Sequence, residues 1–184
     1  EIYESFVLPR LIAFDLDGTI WSPDMYMLWG GGAPFTAVEG EGGVHTLTDV
    51  SGQKVMLLGM SGQILDDLRH HPRWEHTVCA LVSCTDEPAW ADECLDRFST
   101  TPSGLPLRAC VDNSQIFKSN KKTHFQRLRA AYPHIDYSEM LFFDNEMSNI
   151  RSVSSLGVCC LHCPDGMTEE AWVRGLCDYA NRRA

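Results

Sequence analysis

Asp15 and Asp17 stand two residues apart in Asp15-Leu16-Asp17-Gly18-Thr19, directly after the apolar run Leu11-Ile12-Ala13-Phe14. Such a run, bounded by polar turn residues, reads as a buried strand. Two carboxylates just past its end face one site, where one can attack and the other can move protons. Like charges this close need a cation. Mg²⁺ suits them: it prefers oxygen ligands, takes one or two carboxylates, keeps waters and accepts a substrate phosphate oxygen. Gly18 permits a sharp turn that lets backbone N–H groups approach an anion. A bare D-x-D is more often an acidic turn capping a helix; here the preceding strand and the following Gly-Thr favour the site.

Two further apolar runs end in polar groups. Val78-Cys79-Ala80-Leu81-Val82 ends at Ser83, and Met140-Leu141-Phe142-Phe143 ends at Asp144. In an open parallel sheet, ligands bind at the carboxyl ends of the strands, so groups far apart in sequence would meet at one edge. The Ser83 hydroxyl can donate to a phosphate oxygen, with the N–H groups of Cys84 and its neighbours as a small anion nest. Asp144 would be the remaining metal ligand, a role compatible with capping the next helix. Lysine is scarce, four in all, and three of the four are Lys118, Lys121 and Lys122. A phosphate site beside several carboxylates needs such a local cation, although a solvated helix start is the ordinary fate of surface lysines.

The chain has eight cysteines. Several sit in strand-like runs, and the whole set reads as reduced, buried small hydrophobes rather than a disulfide framework. Cys159-Cys160-Leu161-His162-Cys163 does not have paired zinc-ligand spacing. Cys84 lies near the proposed site, but no C-x₅-R phosphate loop follows it, so it is not taken as a nucleophile. The histidines His45, His70, His71, His76, His124 and His134 show no metal spacing.

Elements that could position these groups alternate along the chain. Besides the three runs named, Leu107 to Val111 reads as a weaker strand and Val158-Cys159-Cys160-Leu161 as a fifth. Helices fall between them. Ser61 is expected to cap the first and Pro88 to open the second. Phe125, Leu128 and Tyr132 mark a third, and Met147, Ile150 and Val153 a fourth. Thr168 is expected to cap the last, which carries Trp172 and Leu176. This βαβ-like order predicts an α/β fold, a parallel sheet with helices on both faces. Residues 22–58 interrupt it. Val44 to Thr48 and Lys54 to Leu58 flank Val50-Ser51-Gly52-Gln53 as a β-hairpin insert after the first strand. Residues 1–184 are read as one domain containing that insert.

The 184 residues carry 15 basic and 25 acidic side chains, a formal charge of −10, and 44% hydrophobic residues. A chain of this size buries about 70% of its unfolded surface, so a true core is expected. The acidic balance argues against nucleic-acid binding, which needs phosphate-neutralising Lys and Arg. No apolar run approaches the roughly 18 residues of a membrane helix. Glu1 to Arg10 show no secretory signal. A cytoplasmic protein with no membrane or nucleic-acid partner is therefore expected, its oligomeric state open.

The set D-L-D-G-T, Ser83, Lys121 and Asp144 resembles the haloacid dehalogenase superfamily of phosphohydrolases. Lys121-Lys122-Thr123-His124-Phe125, the strand ending at Asp144, Leu156-Gly157-Val158 and Asp165-Gly166-Met167 are similar to its eukaryotic magnesium-dependent phosphatase family. The resemblance runs from about Leu8 onward and is loosest across 22–58. It implies a Rossmann-like three-layer core with a small hairpin in place of a large cap. It implies Mg²⁺-dependent phosphomonoester hydrolysis through an aspartyl phosphate, with phosphotyrosine and phosphorylated sugar–amine adducts among the substrates. Carried over, Asp15 is the nucleophile and a metal ligand, and Asp17 is the acid/base and gives its backbone carbonyl to the metal. Ser83, the Cys84 N–H and Lys121 hold the phosphoryl group, and Asp144 completes the metal site. Cys84 stands where the family usually has Arg, and Asn145 where it usually has a second acidic residue. Two rivals share this chemistry: a receiver-like phospho-aspartate switch, and a catalytically weakened phosphate-binding module.

Overall fold

The parallel strands are buried on both faces, so they read as unbroken apolar runs and need helices above and below them. The computed structural model describes residues 7–183; residues 1–6, on which the absence of a secretory signal partly rests, lie outside them. The elements begin with β1 (Leu11–Phe14), β2 (Trp21–Ser22), β3 (Thr36–Gly40), β4 (Gly43–Thr48), β5 (Lys54–Leu57) and α1 (Ser61–His70). There follow β6 (Val78–Ser83), α2 (Pro88–Arg97), β7 (Asn113–Ile116) and α3 (Lys121–Ala131). The chain closes with β8 (Met140–Asp144), α4 (Met147–Ser154), β9 (Cys159–His162) and α5 (Glu169–Arg183). No helix among the described residues is long and apolar enough to cross a membrane.

Five strands form a parallel sheet in the order β7-β6-β1-β8-β9. Period-2 alternation sends Leu11 and Ala13 to one face, where they pack with Phe125 and Leu128 of α3 and Ile150 and Val153 of α4. It sends Ile12 and Phe14 to the other, against Ile64 and Leu65 of α1, Cys94 and Leu95 of α2, and Trp172 and Leu176 of α5. Phe14 stacks on Phe143 at 5.5 Å, and Trp172 closes on Phe143 at 5.7 Å. Each such buried side chain contributes about 1.5–3 kcal/mol by leaving water. The expected three-layer α/β core is present. The chain runs outward from β1 through β6 to β7, then returns to the other side of β1 with β8. That reversal sets a topological switch point between β1 and β8, where open α/β sheets bind ligands.

Local details differ from the expectations in instructive ways. The segment Leu107–Cys110 is a 3₁₀ turn, and the edge strand lies just beyond it at Asn113–Ile116. An edge strand that is half exposed has no need of an apolar run. Ser61 does not cap α1; its hydroxyl donates to the Leu58 carbonyl at 2.7 Å. Pro88 does open α2, and the Thr168 hydroxyl accepts the Ala171 N–H at the start of α5. All eight cysteines are free.

The hairpin β4–β5 is present, within a four-stranded antiparallel sheet of order β2-β5-β4-β3. Its turn is built on Asp49, whose carboxylate accepts hydrogen bonds from the N–H groups of Ser51 and Gln53 and the Ser51 hydroxyl. The same carboxylate pins the N–H of Gly32 at 2.8 Å. Gly32 has φ +92°, and a Cβ there would strike the Trp90 ring at 2.3 Å, so only glycine fits. Burial opposes ionisation of Asp49, but these hydrogen bonds outweigh it and hold the carboxyl below its ordinary value. A depressed folded pKa gives stability that is complete above the unfolded value and is lost as pH falls through the folded one. Asp49→Ala is therefore expected to destabilise the protein by about 1–3 kcal/mol at neutral pH. Urea titrations across the acid range should show that gap closing as wild type loses the same contribution; a gap independent of pH would contradict the assignment.

Candidate active site

The three central strands bring their carboxyl ends to one cleft, and the residues at those ends are Asp15, Ser83 and Asp144. The first turn is formed by backbone bonds. The Thr19 N–H donates to the Leu16 carbonyl and the Gly18 N–H to the Trp21 carbonyl. Gly18 has φ +74°, and a Cβ would lie 2.3 Å from Asn145 Nδ2. The glycine thus admits both the left-handed turn and the close approach of the β8 loop. Buried Thr19 locks the two loops: its Oγ1 accepts the Asn145 N–H at 3.1 Å and donates to Asn145 Oδ1 at 3.4 Å. Asn145, a departure from the usual acidic residue, thus has a structural task between the loops.

Lys121 is the first residue of α3 and is only 2% exposed. Asn120 caps that helix, accepting the Thr123 N–H at 3.0 Å. The Lys121 Nζ donates to Asp15 Oδ1 and, at 2.5 Å, to the Val82 carbonyl, and lies 3.5 Å from Asp144 Oδ2. Burial opposes its charge, but the flanking carboxylates of Asp15 and Asp144 hold the ammonium above its ordinary range. Lys118, by contrast, pairs with Asp86 on the surface.

Asp144 is fully buried beneath the cleft. Its Oδ1 accepts the Glu146 N–H at 2.7 Å, and Asn149 of α4 donates to Oδ2 at 3.0 Å. Burial, reinforced by the Asp15 charge, pushes Asp144 up to about 7. Asp17 is likewise pushed up to about 7 by burial; the Trp21 hydrogen bond opposes the shift and the Asp15 charge adds to it. A carboxyl titrating there is matched to both giving and taking a proton at neutral pH.

Ser83 ends β6, and its Oγ accepts the Thr85 N–H at 3.4 Å. His124 of α3 lies within 3.0 Å of the Ser83 carbonyl through Nε2. Cys84 lines the cleft half-buried, and burial pushes its thiol up, which keeps it neutral and a poor nucleophile. The cleft, about 210 Å³, is lined by Asp15, Asp17, Ser83, Cys84 and Lys121 at its base. Exposed Tyr26, Asp86 and Glu146 form its rim, and half-buried Asp24 and Asn149 line it between.

Asp15, Asp17, Ser83, Cys84 and Lys121 therefore fall at this one edge of the sheet, with Asp144 immediately beneath, while Lys118 lies on the surface. Asn149, Asp24 and the Trp21 contact to Asp17 were not foreseen. Asn149 follows Asp144 by five residues, on the helix that Asp144 precedes, but that spacing alone does not single it out. The aromatic residues of the insert divide: Tyr26 reaches the rim and is 58% exposed, Trp29 is exposed away from the cleft, and Trp21 and Phe35 are core.

A buried lysine between two strand-end carboxylates on this sheet order defines a haloacid dehalogenase-type hydrolase. Residues 7–182 match the acid phosphatase family, and the chain belongs to that family within the haloacid dehalogenase superfamily. It is 32% identical over 175 residues to magnesium-dependent phosphatase 1 of Homo sapiens, covering 94% of this chain and 88% of that one. It is 31% identical to a haloacid dehalogenase-like hydrolase superfamily protein of Schizosaccharomyces pombe, covering 82% and 83% of the two. The fold is shared with the N-terminal part of a Bacteroides fragilis protein containing a phosphatase domain complexed with Mg, at TM-score 0.60 and 16% identity. That match covers 90% of this chain but 39% of the solved one. A β-phosphoglucomutase from a Pyrococcus species superposes at TM-score 0.54 with 12% identity.

Proposed function

We propose that this chain is a Mg²⁺-dependent phosphomonoester hydrolase working through an aspartyl phosphate on Asp15. The observation that carries the reading is Lys121 Nζ, buried and bridging the carboxylates of Asp15 and Asp144 at the switch point. The donor set fits the metal. It offers two carboxylates, Asp15 and Asp144, with the Asp17 backbone carbonyl as a third oxygen. No cluster of three or more His, Cys, Asp or Glu side chains suited to a metal exists among the described residues. Mg²⁺ is bound by one or two carboxylates plus water and phosphate oxygens, not by an all-protein cage. When bound it neutralises charge on the transferring phosphoryl group.

In this reading the Asp15 carboxylate attacks phosphorus, and the bond from phosphorus to the leaving oxygen breaks in line. Protonated Asp17 gives its proton to that oxygen. The resulting Asp17 carboxylate then takes a proton from water, whose oxygen attacks the same phosphorus and releases Asp15 and inorganic phosphate. Ser83, the Cys84 N–H and Lys121 hold the phosphoryl oxygens, Lys121 supplying the positive charge. Asp17 follows the nucleophile by two residues, so acid/base and nucleophile act together; that arrangement supports turnover over a stored phospho-aspartate. The Thr19–Asn145 lock argues against reading Asn145 as a mark of a disabled site.

Substrate choice rests on the rim. Exposed Tyr26 offers a face to an aryl phosphate such as phosphotyrosine, while Asp24 and Glu146 suit an amine near the phosphate, as in sugar–amine adducts. Release of p-nitrophenol from p-nitrophenyl phosphate, with Mg²⁺ and with EDTA, tests the reading. Hydrolysis that EDTA abolishes and Mg²⁺ restores is the expected result. Hydrolysis indifferent to EDTA would reject it.

A further inference from the structure

Trp21, which opens β2, is wholly buried in the core, and its indole N–H needs a partner there. It finds Asp17: Nε1 donates to Asp17 Oδ1 at 2.8 Å. The other carboxylate oxygen, Oδ2, accepts the backbone N–H of Met25 at 3.2 Å. Both oxygens are thus fixed by donors from the insert, and the carboxyl cannot turn without breaking one of them. Trp21 is itself held. It pairs with Leu57 across β2–β5, its carbonyl accepts the Gly18 N–H, and its ring stacks on Phe98 at 5.9 Å.

We propose that Trp21 is a positioning residue for proton transfer, orienting Asp17 so that its acid proton meets the leaving oxygen. The insert sheet is then part of the catalytic apparatus through its strand β2, and not a cover alone. The inference rests on the reading of Asp17 as general acid. The two donors fix the plane of the carboxyl, and each oxygen keeps a further lone pair facing away from its donor. Misorientation of an acid matters in proportion to how badly the leaving group needs a proton. A p-nitrophenolate departs without one; a benzyl alkoxide does not.

The test compares kcat/KM on p-nitrophenyl phosphate and benzyl phosphate for wild type, Trp21→Phe and Asp17→Asn. Phenylalanine keeps an aromatic ring to stack on Phe98 and removes the donor, together with part of the buried indole's volume. General acid–base catalysis contributes about 10²–10⁴-fold, and Trp21→Phe is expected to lose about 10-fold or more on benzyl phosphate but under about 3-fold on p-nitrophenyl phosphate. Asp17→Asn should show the same selectivity more strongly. If Asp17→Asn is selective and Trp21→Phe loses both substrates equally, or neither, Trp21 is structural and the proposal is overturned. If Asp17→Asn itself shows no selectivity, the general-acid reading falls and the proposal with it. Should Trp21→Phe fail to fold, 3-benzothienylalanine at position 21 keeps the bicyclic shape without the N–H and is read by the same criterion.

Discussion

Asp15→Asn is expected to fold and to turn over no phosphate ester, with kcat reduced by about 10⁴-fold or more. The carboxamide matches the carboxylate in shape, so the loop from Leu16 to Trp21 keeps its backbone bonds. What it loses is the anionic oxygen that attacks phosphorus. The cost to stability is small because Lys121 keeps the Asp144 carboxylate at 3.5 Å and the Val82 carbonyl at 2.5 Å. A lost charge-assisted hydrogen bond is worth about 1.5–3 kcal/mol, less here because two partners remain. Circular dichroism and a thermal melt beside the rate measurement separate the two effects. Near-normal activity in a folded Asp15→Asn protein would show that another group attacks.

Lys121→Met is expected to fail differently, losing both activity and stability. The ammonium neutralises two buried carboxylates that otherwise face one another. Removing one partner of a buried pair costs about 3–5 kcal/mol, because it leaves charge uncompensated. Removing a donor aimed at charge in the transition state costs about 10²–10³-fold in kcat. The stability deficit should respond to Mg²⁺, since a second cation at Asp15 and Asp144 relieves the same repulsion. Melts in EDTA and in Mg²⁺ should therefore show a larger metal-induced rise in Tm for Lys121→Met than for wild type. Equal melting of the two proteins in EDTA would mean that the bridge seen between Asp15 and Asp144 carries no weight.

Much of this arrangement was legible because parallel strands announce themselves. Leu11–Phe14, Val78–Ser83 and Met140–Asp144 are apolar along their length, and the polar residue that follows or ends each run marks the edge where the cleft lies. Lys121 was harder to single out, since nothing local distinguishes it from Lys118 and Lys122; only the family resemblance separates them. The fold does so physically, by burying the first residue of α3 and leaving Lys118 outside. The edge strand Asn113–Ile116 escaped notice because it is polar, and β3 because its residues are largely exposed. The second layer of the site was invisible for another reason. Asn149 against Asp144, and Trp21 against Asp17, are side-chain contacts whose partners are set by turn geometry and helix direction, and spacing alone does not reveal them.

The central claim is that phosphorus passes through the Asp15 carboxylate. Acyl phosphates are reduced by borohydride to the alcohol, which would turn Asp15 into homoserine. The direct measurement is to mix enzyme, Mg²⁺ and p-nitrophenyl phosphate, quench with borohydride during turnover, and sequence the peptide spanning Leu11 to Trp21 by mass spectrometry. Homoserine at position 15, present only with substrate, is the result this account predicts. An unmodified Asp15 during active turnover, or reduction at Asp17 or Asp144 instead, would contradict it.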